Sequence, residues 1–102
     1  MFTEIKLYKD KMQVVPLVDI DENSASTIRR EIDDFIDKNN FNELIFDFNR
    51  IDFMDSTGIG MILGRYKKLR KKNVSVAVKN ANQQIDKVLR ASGIYELFLS
   101  DY

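Results

Sequence analysis

Asp55, Ser56 and Thr57 set a carboxylate and two hydroxyls side by side within the run Phe53-Met54-Asp55-Ser56-Thr57-Gly58-Ile59-Gly60. A hydroxyl here can cap a helix, by accepting a bond from an unpaired N–H of the first turn. Ser56 falls where a helix N-cap is expected, and capping is the commoner use of such a serine. The composition around it argues for more. Gly58, Gly60 and Gly64 lie in the first turns of the expected helix, where each glycine costs about 1 kcal/mol relative to alanine. Close packing of helix on sheet would account for Gly60 and Gly64. Phe53 and Met54 put apolar side chains beside the turn, where an exposed loop could offer them to a partner.

Two nucleotide motifs fail on spacing. Gly58-Ile59-Gly60-Met61-Ile62-Leu63-Gly64 has one residue too many for the dinucleotide pattern GxGxxG, and no Lys-Ser or Lys-Thr pair follows as in a P-loop. An aspartic protease turn places its glycine two residues after the aspartate, whereas Gly58 follows Asp55 by three and no second such motif exists.

Composition narrows the chemistry further. The 102 residues include no cysteine and no histidine, so thiol nucleophiles, disulfides and the commonest general base and metal ligand are missing. No metal and no cofactor is expected. Lysine plus arginine and aspartate plus glutamate each number 16, so no net field draws the molecule onto nucleic acid. The charges are sorted all the same. An acidic stretch runs from Asp19 to Asp37, in which Asp19, Asp21 and Glu22 form either a partner-facing patch or a turn complementing a helix dipole. A basic stretch runs from Arg65 to Lys72 and reads as a solvated helix face, since only Tyr66 could stack on a base and it falls on the apolar side. With 44% apolar and 31% charged residues, no apolar run near 18 residues and no leader-like block in Met1–Asp10, a soluble cytoplasmic domain over residues 1–102 is expected, with no membrane partner.

The elements that must position Ser56 follow from periodicity. Ile5 and Leu7 alternate with polar neighbours and Met12–Val18 is valine-rich, giving two strands in a hairpin through Asp10 and Lys11. Pro16 lacks a ladder donor and belongs at an edge or where its nitrogen faces outward. Ile28, Ile32, Phe35 and Ile36 mark one helical face after cap-competent Asn23 and Ser24, ending at Asn39 and Asn40. Leu44–Phe48 suits a strand covered on both faces. Ile59, Ile62, Leu63, Tyr66 and Leu69 mark a second helix, Val74, Val76 and Val78 a strand, and Ile85, Val88 and Leu89 a third helix stopped by Gly93, before a short element at Ile94–Phe98. The order β-β-α-β-α-β-α makes this an α/β chain whose strands around the second helix run parallel.

The run from Phe53 to Gly60, followed by Ile62-Leu63-Gly64-Arg65-Tyr66-Lys67, resembles the signature of the anti-sigma factor antagonists, bacterial STAS proteins, above all the sporulation type. Asp21, ahead of the first helix, and Ala91-Ser92-Gly93-Ile94 extend the resemblance over nearly the whole chain. It implies a mixed sheet of four to five strands packed with three to four helices. It also implies a non-enzymatic protein whose dephosphorylated form binds an anti-sigma factor that is itself a serine kinase, charged with ATP or ADP, and so releases a sigma factor for transcription. Phosphorylation then falls on the serine after the aspartate, here Ser56, and a serine phosphatase reverses it. The partner surface implied is Asp21, Met54, Asp55, Ser56, Thr57 and Gly58. Departures from the pattern are Val18 in place of a common glycine, Asp19 in place of glutamate, Pro16 in the preceding strand, and a short C-terminus, from which the final helix of longer relatives is expected to be truncated or absent after Phe98. The alternatives are a scaffolding STAS domain without a sigma cycle and a small nucleotide-binding protein with Ser56, Thr57 and the glycines as a phosphate cradle.

Overall fold

A computed structural model describes residues 1–99. Strands β1 (Thr3–Tyr8) and β2 (Lys11–Pro16) form the expected antiparallel hairpin, turning on Lys9 and Asp10, one residue earlier than expected, with Lys9 at φ 57°. Helix α1 (Ala25–Lys38), strand β3 (Glu43–Asp47), helix α2 (Ser56–Arg70), strand β4 (Ser75–Lys79) and helices α3 (Gln83–Ser92) and α4 (Ile94–Leu99) follow. The sheet order is β1-β2-β3-β4, with β2, β3 and β4 mutually parallel. Four strands and four helices match the α/β, mixed-sheet expectation. Anything beyond Leu99 lies outside the described residues.

One face of the sheet carries the core. The registers Leu7↔Met12, Met12↔Leu44 and Leu44↔Val76 set Met12, Val14, Leu44, Phe46 and Val76 on the same side, all buried and clustered with Ile28, Ile32 and Ile36 of α1, Ile62 and Leu69 of α2, and Ile85 and Leu89 of α3. The other face is polar: Gln13, Glu43 and Lys11 line it, and Lys11 pairs with Glu43 at 3.3 Å. Strand β3 is therefore covered on one face only, which corrects the two-sided expectation. Ile45 stays half exposed, and Asp47 on the same side is buried by accepting bonds from Gln13 Nε2 at 2.9 Å and Asn80 Nδ2 at 3.0 Å.

Pro16 is explained by register. Its neighbour Leu17 donates to Phe2 across the hairpin, so the nitrogen of Pro16 faces the β3 side, and the β2–β3 ladder has already ended at Val14↔Phe46. An interior strand thus tolerates proline because no donor is needed there. The basic face of α2 needs correction at one position. Arg65 is only 8% exposed, because Asp33 of α1 stands across from it, 3.0 Å from Nε.

Candidate functional site

The carboxyl ends of β2, β3 and β4 point toward one end of the molecule, and the connections leaving them meet there. Residues 19–21, leaving β2, lie against residues 52–55, which lead into α2. An isolated parallel bridge joins Ile20 to Met54, with Ile20 N–H donating to Phe53 O at 3.1 Å and Asp55 N–H to Ile20 O at 3.1 Å. Asp19 Oδ1 accepts from the backbone N–H of Asp52 at 3.0 Å and of Phe53 at 3.2 Å. Ser56 and Asp21 therefore stand on adjoining loops of one surface.

Ser56 is the first residue of α2, not its cap. The cap is Asp55, extended at φ −104°, ψ −172°, whose Oδ1 accepts from Thr57 N–H at 2.8 Å while its carbonyl takes Gly58 N–H at 3.0 Å. A carboxylate caps a helix N-terminus as well as a hydroxyl does, and its charge also complements the dipole. Ser56 is thereby relieved of a structural task. It is exposed, and among the described residues nothing hydrogen-bonds to its hydroxyl. Thr57 is exposed beside it.

Asp21 has a structural role of its own. Its Oδ1 accepts from Asn23 N–H at 2.8 Å and Ser24 N–H at 3.2 Å, fixing the turn into α1, and Ser24 Oγ bonds backward, accepting from Asp21 N–H and donating to Asp19 O. Ser24 holds the N-cap position of α1 but makes no side-chain capping bond, and the turn ahead of it is held by Asp21 instead.

Met54 does not offer its side chain at the surface. It is fully buried, and the exposed member of the pair is Phe53, at 41%. The reason lies in Gly58, where an added Cβ would sit 2.5 Å from Met54 Sδ and 3.1 Å from Ile20 Cγ2. Gly58 is the glycine of close approach. At Gly60 and Gly64, which close packing or a binding role would each have accounted for, nothing lies within 4 Å of such a Cβ, so close packing does not account for them. Beside Ser56 a shallow groove of about 510 Å³ is walled by Phe53, Ile59, Gln84, Val88 and Ala91.

The STAS domain family model matches residues 9–101. The chain belongs to the STAS domain family. Among relatives of this STAS chain, an anti-sigma F factor antagonist of Paenibacillus polymyxa is 29% identical over 79 residues, which cover 78% of this chain and 68% of the relative. The fold is similar to the anti-sigma factor antagonist SpoIIAA in its unphosphorylated form (24% identity, TM-score 0.77, 90% of this chain and 81% of that one). It is also similar to the Bacillus cell fate determinant SpoIIAA in the phosphorylated form (24% identity, TM-score 0.70, 92% and 86%).

The sequence pattern singles out neither Gln84 nor Asn82 at this end of the STAS chain, and it gives Asp19 a different task. Gln84 donates and accepts at the backbone of Met54, Asn82 Nδ2 donates to Asp52 O at 2.9 Å, and Asp19 ties down Asp52 and Phe53. Each acts on main-chain atoms far away in sequence, so no local spacing announces it.

Proposed function

We propose that this chain is an anti-sigma factor antagonist that works by partner switching. It acts by binding and not by catalysis. The dephosphorylated form binds an anti-sigma factor that is also a serine kinase, freeing the sigma factor. The kinase ends the interaction by transferring the γ-phosphoryl group of ATP to Ser56. The Ser56 Oγ–P bond forms as the bond to the ADP oxygen breaks, and the hydroxyl proton passes to a base on the kinase. A serine phosphatase resets the switch by hydrolysis.

The observation that carries this reading is the Ser56 hydroxyl, exposed and unbonded at the first position of α2, on a surface shared with Asp21. Relatives bearing the anti-sigma F factor antagonist name support it. The switch needs no refolding. A phosphate adds about −1.5 to −2 charge, which a helix N-terminus tolerates, so the fold survives while the surface changes. Asp55 and Asp21 already make that surface acidic, and a dianion beside them must lose its water where a partner seats. A hundredfold loss of affinity requires only about 2.8 kcal/mol. Asp21, Asp55, Ser56 and Thr57 form the proposed contact surface, with Met54 and Gly58 shaping it from beneath.

The test is phosphate mapping by mass spectrometry after incubation with ATP and the cognate anti-sigma kinase. A single phosphate on Ser56 is expected in the wild-type chain and none in Ser56→Ala, which melts close to wild type because Asp55 holds the cap. Equal labelling of the two chains would sink the assignment, and labelling without loss of kinase affinity would sink the switch.

A further inference from the structure

The backbone of Met54 is held on two sides, and only one of them is a strand. On the first side lies the bridge to Ile20. On the second, where a further strand would pair, stands the side chain of Gln84, in the first turn of α3. Met54 N–H donates to Gln84 Oε1 at 3.0 Å and Gln84 Nε2 donates to Met54 O at 2.9 Å. A primary amide presents one acceptor and one donor side by side, as a peptide group does in a β-ladder. Gln84 thus supplies both bonds of a missing strand residue.

We propose that Gln84 is a positioning residue for the Ser56 switch, its amide clamping the turn at residues 52–55 so that the α2 N-terminus presents the hydroxyl in one fixed geometry. The proposal rests on Ser56 being the phosphoacceptor. Gln84 is itself well anchored. Ile85 and Leu89 of α3 are fully buried, Asn82 Oδ1 caps the helix by accepting from Ile85 N–H at 2.9 Å, and Asn82 Nδ2 reaches Asp52 O. From the opposite side Asp19 Oδ1 takes two N–H groups of the same turn. The turn is gripped between two rigid bodies, the end of β2 and the start of α3.

Fixing the turn matters because a group transfer depends on the reacting atom being held within reach and in line. A turn that samples several conformations is competent only for a fraction of the time, and the apparent dissociation constant rises in inverse proportion to that fraction. Removal of the amide is then read as weaker recognition at an unchanged chemical step. If Gln84 only satisfied buried backbone groups, its loss would lower the melting temperature and leave recognition as it was.

The experiment compares the full wild-type chain with Gln84→Met, which keeps the length of the side chain and removes both bonds. Two readouts are taken: amide hydrogen exchange without any partner, and steady-state phosphorylation by the kinase that labels the wild type. For Gln84→Met we expect exchange at Met54 at least about tenfold faster with Leu44 and Phe46 unaltered, KM raised about tenfold, and kcat within about twofold. Asp19→Ala loosens the same turn, whereas Asp19→Asn, which keeps the acceptor oxygen, restores wild-type exchange and KM. Unchanged exchange at Met54, or unchanged KM despite faster exchange, overturns the proposal. Faster exchange across the whole sheet in Gln84→Met, with Asp19→Ala and Asp19→Asn alike, overturns it too. A wild-type chain that no anti-sigma kinase labels overturns the phosphoacceptor reading instead, and that result is distinguishable because the exchange measurement needs no kinase.

Discussion

The end of the molecule that carries Ser56 and the seam between α1 and α2 are both polar, yet they are held together by different means. At the Ser56 end, Asp19, Asp21, Asp55 and Gln84 all bond to main-chain atoms. At the seam, side chain meets side chain: Arg65 Nε stands 3.0 Å from Asp33, and Lys68 reaches Asp33 at 3.7 Å and Asp37 at 3.0 Å. Bonds to the main chain fix a shape while leaving neighbouring side chains, here Ser56 and Thr57, free to meet a partner. Ion pairs between side chains use up the groups they join. The first arrangement suits a recognition surface, and the second suits a scaffold.

The largest expected effect lies at the seam. Arg65 and Asp33 are in charge contact without a hydrogen bond along Nε–H, while Nη1 donates to Met61 O at 3.4 Å. Burial draws the guanidinium below its ordinary value and Asp33 opposes that. Arg65→Met keeps the packed stem and strands Asp33. The cost is about 2 kcal/mol, below the 3–5 of a deeply buried pair because Lys68 remains and the Asp33 side chain is 28% exposed. Thermal melts should fall by roughly 10 °C, with phosphorylation of Ser56 at the wild-type rate. Adding Asp33→Leu should return most of the loss. A seam variant that slowed phosphorylation without losing stability would break the contrast.

The next effect sharpens it within one helix. Gly58→Ala drives a Cβ into Met54 Sδ and toward Ile20, beneath the proposed contact surface. Overpacking costs about 1–3 kcal/mol, offset by about 1 kcal/mol of helix propensity, so stability drops by about 1 kcal/mol and partner affinity falls with it. Gly60→Ala meets nothing and should raise stability by roughly 0.5–1 kcal/mol. Denaturant midpoints for the two, side by side, should move in opposite directions.

The same contrast explains what was legible beforehand. Elements announce themselves through local periodicity, so the strands, the helices and the stop at Gly93, with φ 77°, could be read directly. The run from Phe53 to Gly60 stood out because it is contiguous in sequence. What could not be read depends on who stands opposite. Arg65 looked solvated because only the fold brings Asp33 to it. Met54 looked exposed because only the fold brings Gly58 and Ile20 over it. The cap passed from Ser56 to Asp55 because either type can serve, and backbone angles at residue 55 decide between them.

Asp21 lies on the boundary between the two behaviours, since it caps a turn and also stands on the proposed contact surface. Asp21→Ala should cost about 1 kcal/mol by loss of the cap. Asp21→Asn keeps the acceptor oxygen and discards the charge, so its melting temperature stays near wild type. If the charge meets the kinase, Asn slows phosphorylation as much as Ala does. Melts and rates on the same preparations decide, and a full-rate Asn variant would leave Asp21 a cap alone.

The smallest effect separates the manner of bonding from its place. Glu31 of α1 belongs to the scaffold yet bonds as the Ser56 end does, accepting from the backbone N–H of Phe2 at 3.0 Å and Thr3 at 2.9 Å and from the Thr3 hydroxyl. Burial pushes its pKa up, but those donors, with the charge of the N-terminal ammonium, outweigh burial and bring it below the ordinary 4.5. A carboxylate with a lowered folded-state pKa stabilises the fold above its unfolded value, and that contribution is lost as pH falls through the folded value. Glu31→Gln cannot ionise and accepts through one oxygen only. It should therefore melt slightly below wild type near pH 7, with the gap closing as the pH falls below the ordinary 4.5 and through the lowered folded-state value, at constant salt. Because Glu31 lies on the scaffold, Ser56 phosphorylation at neutral pH should be unaffected. A constant gap at every pH would mean that the carboxylate charge contributes nothing to pinning β1 on α1, and that any acceptor in its place would serve.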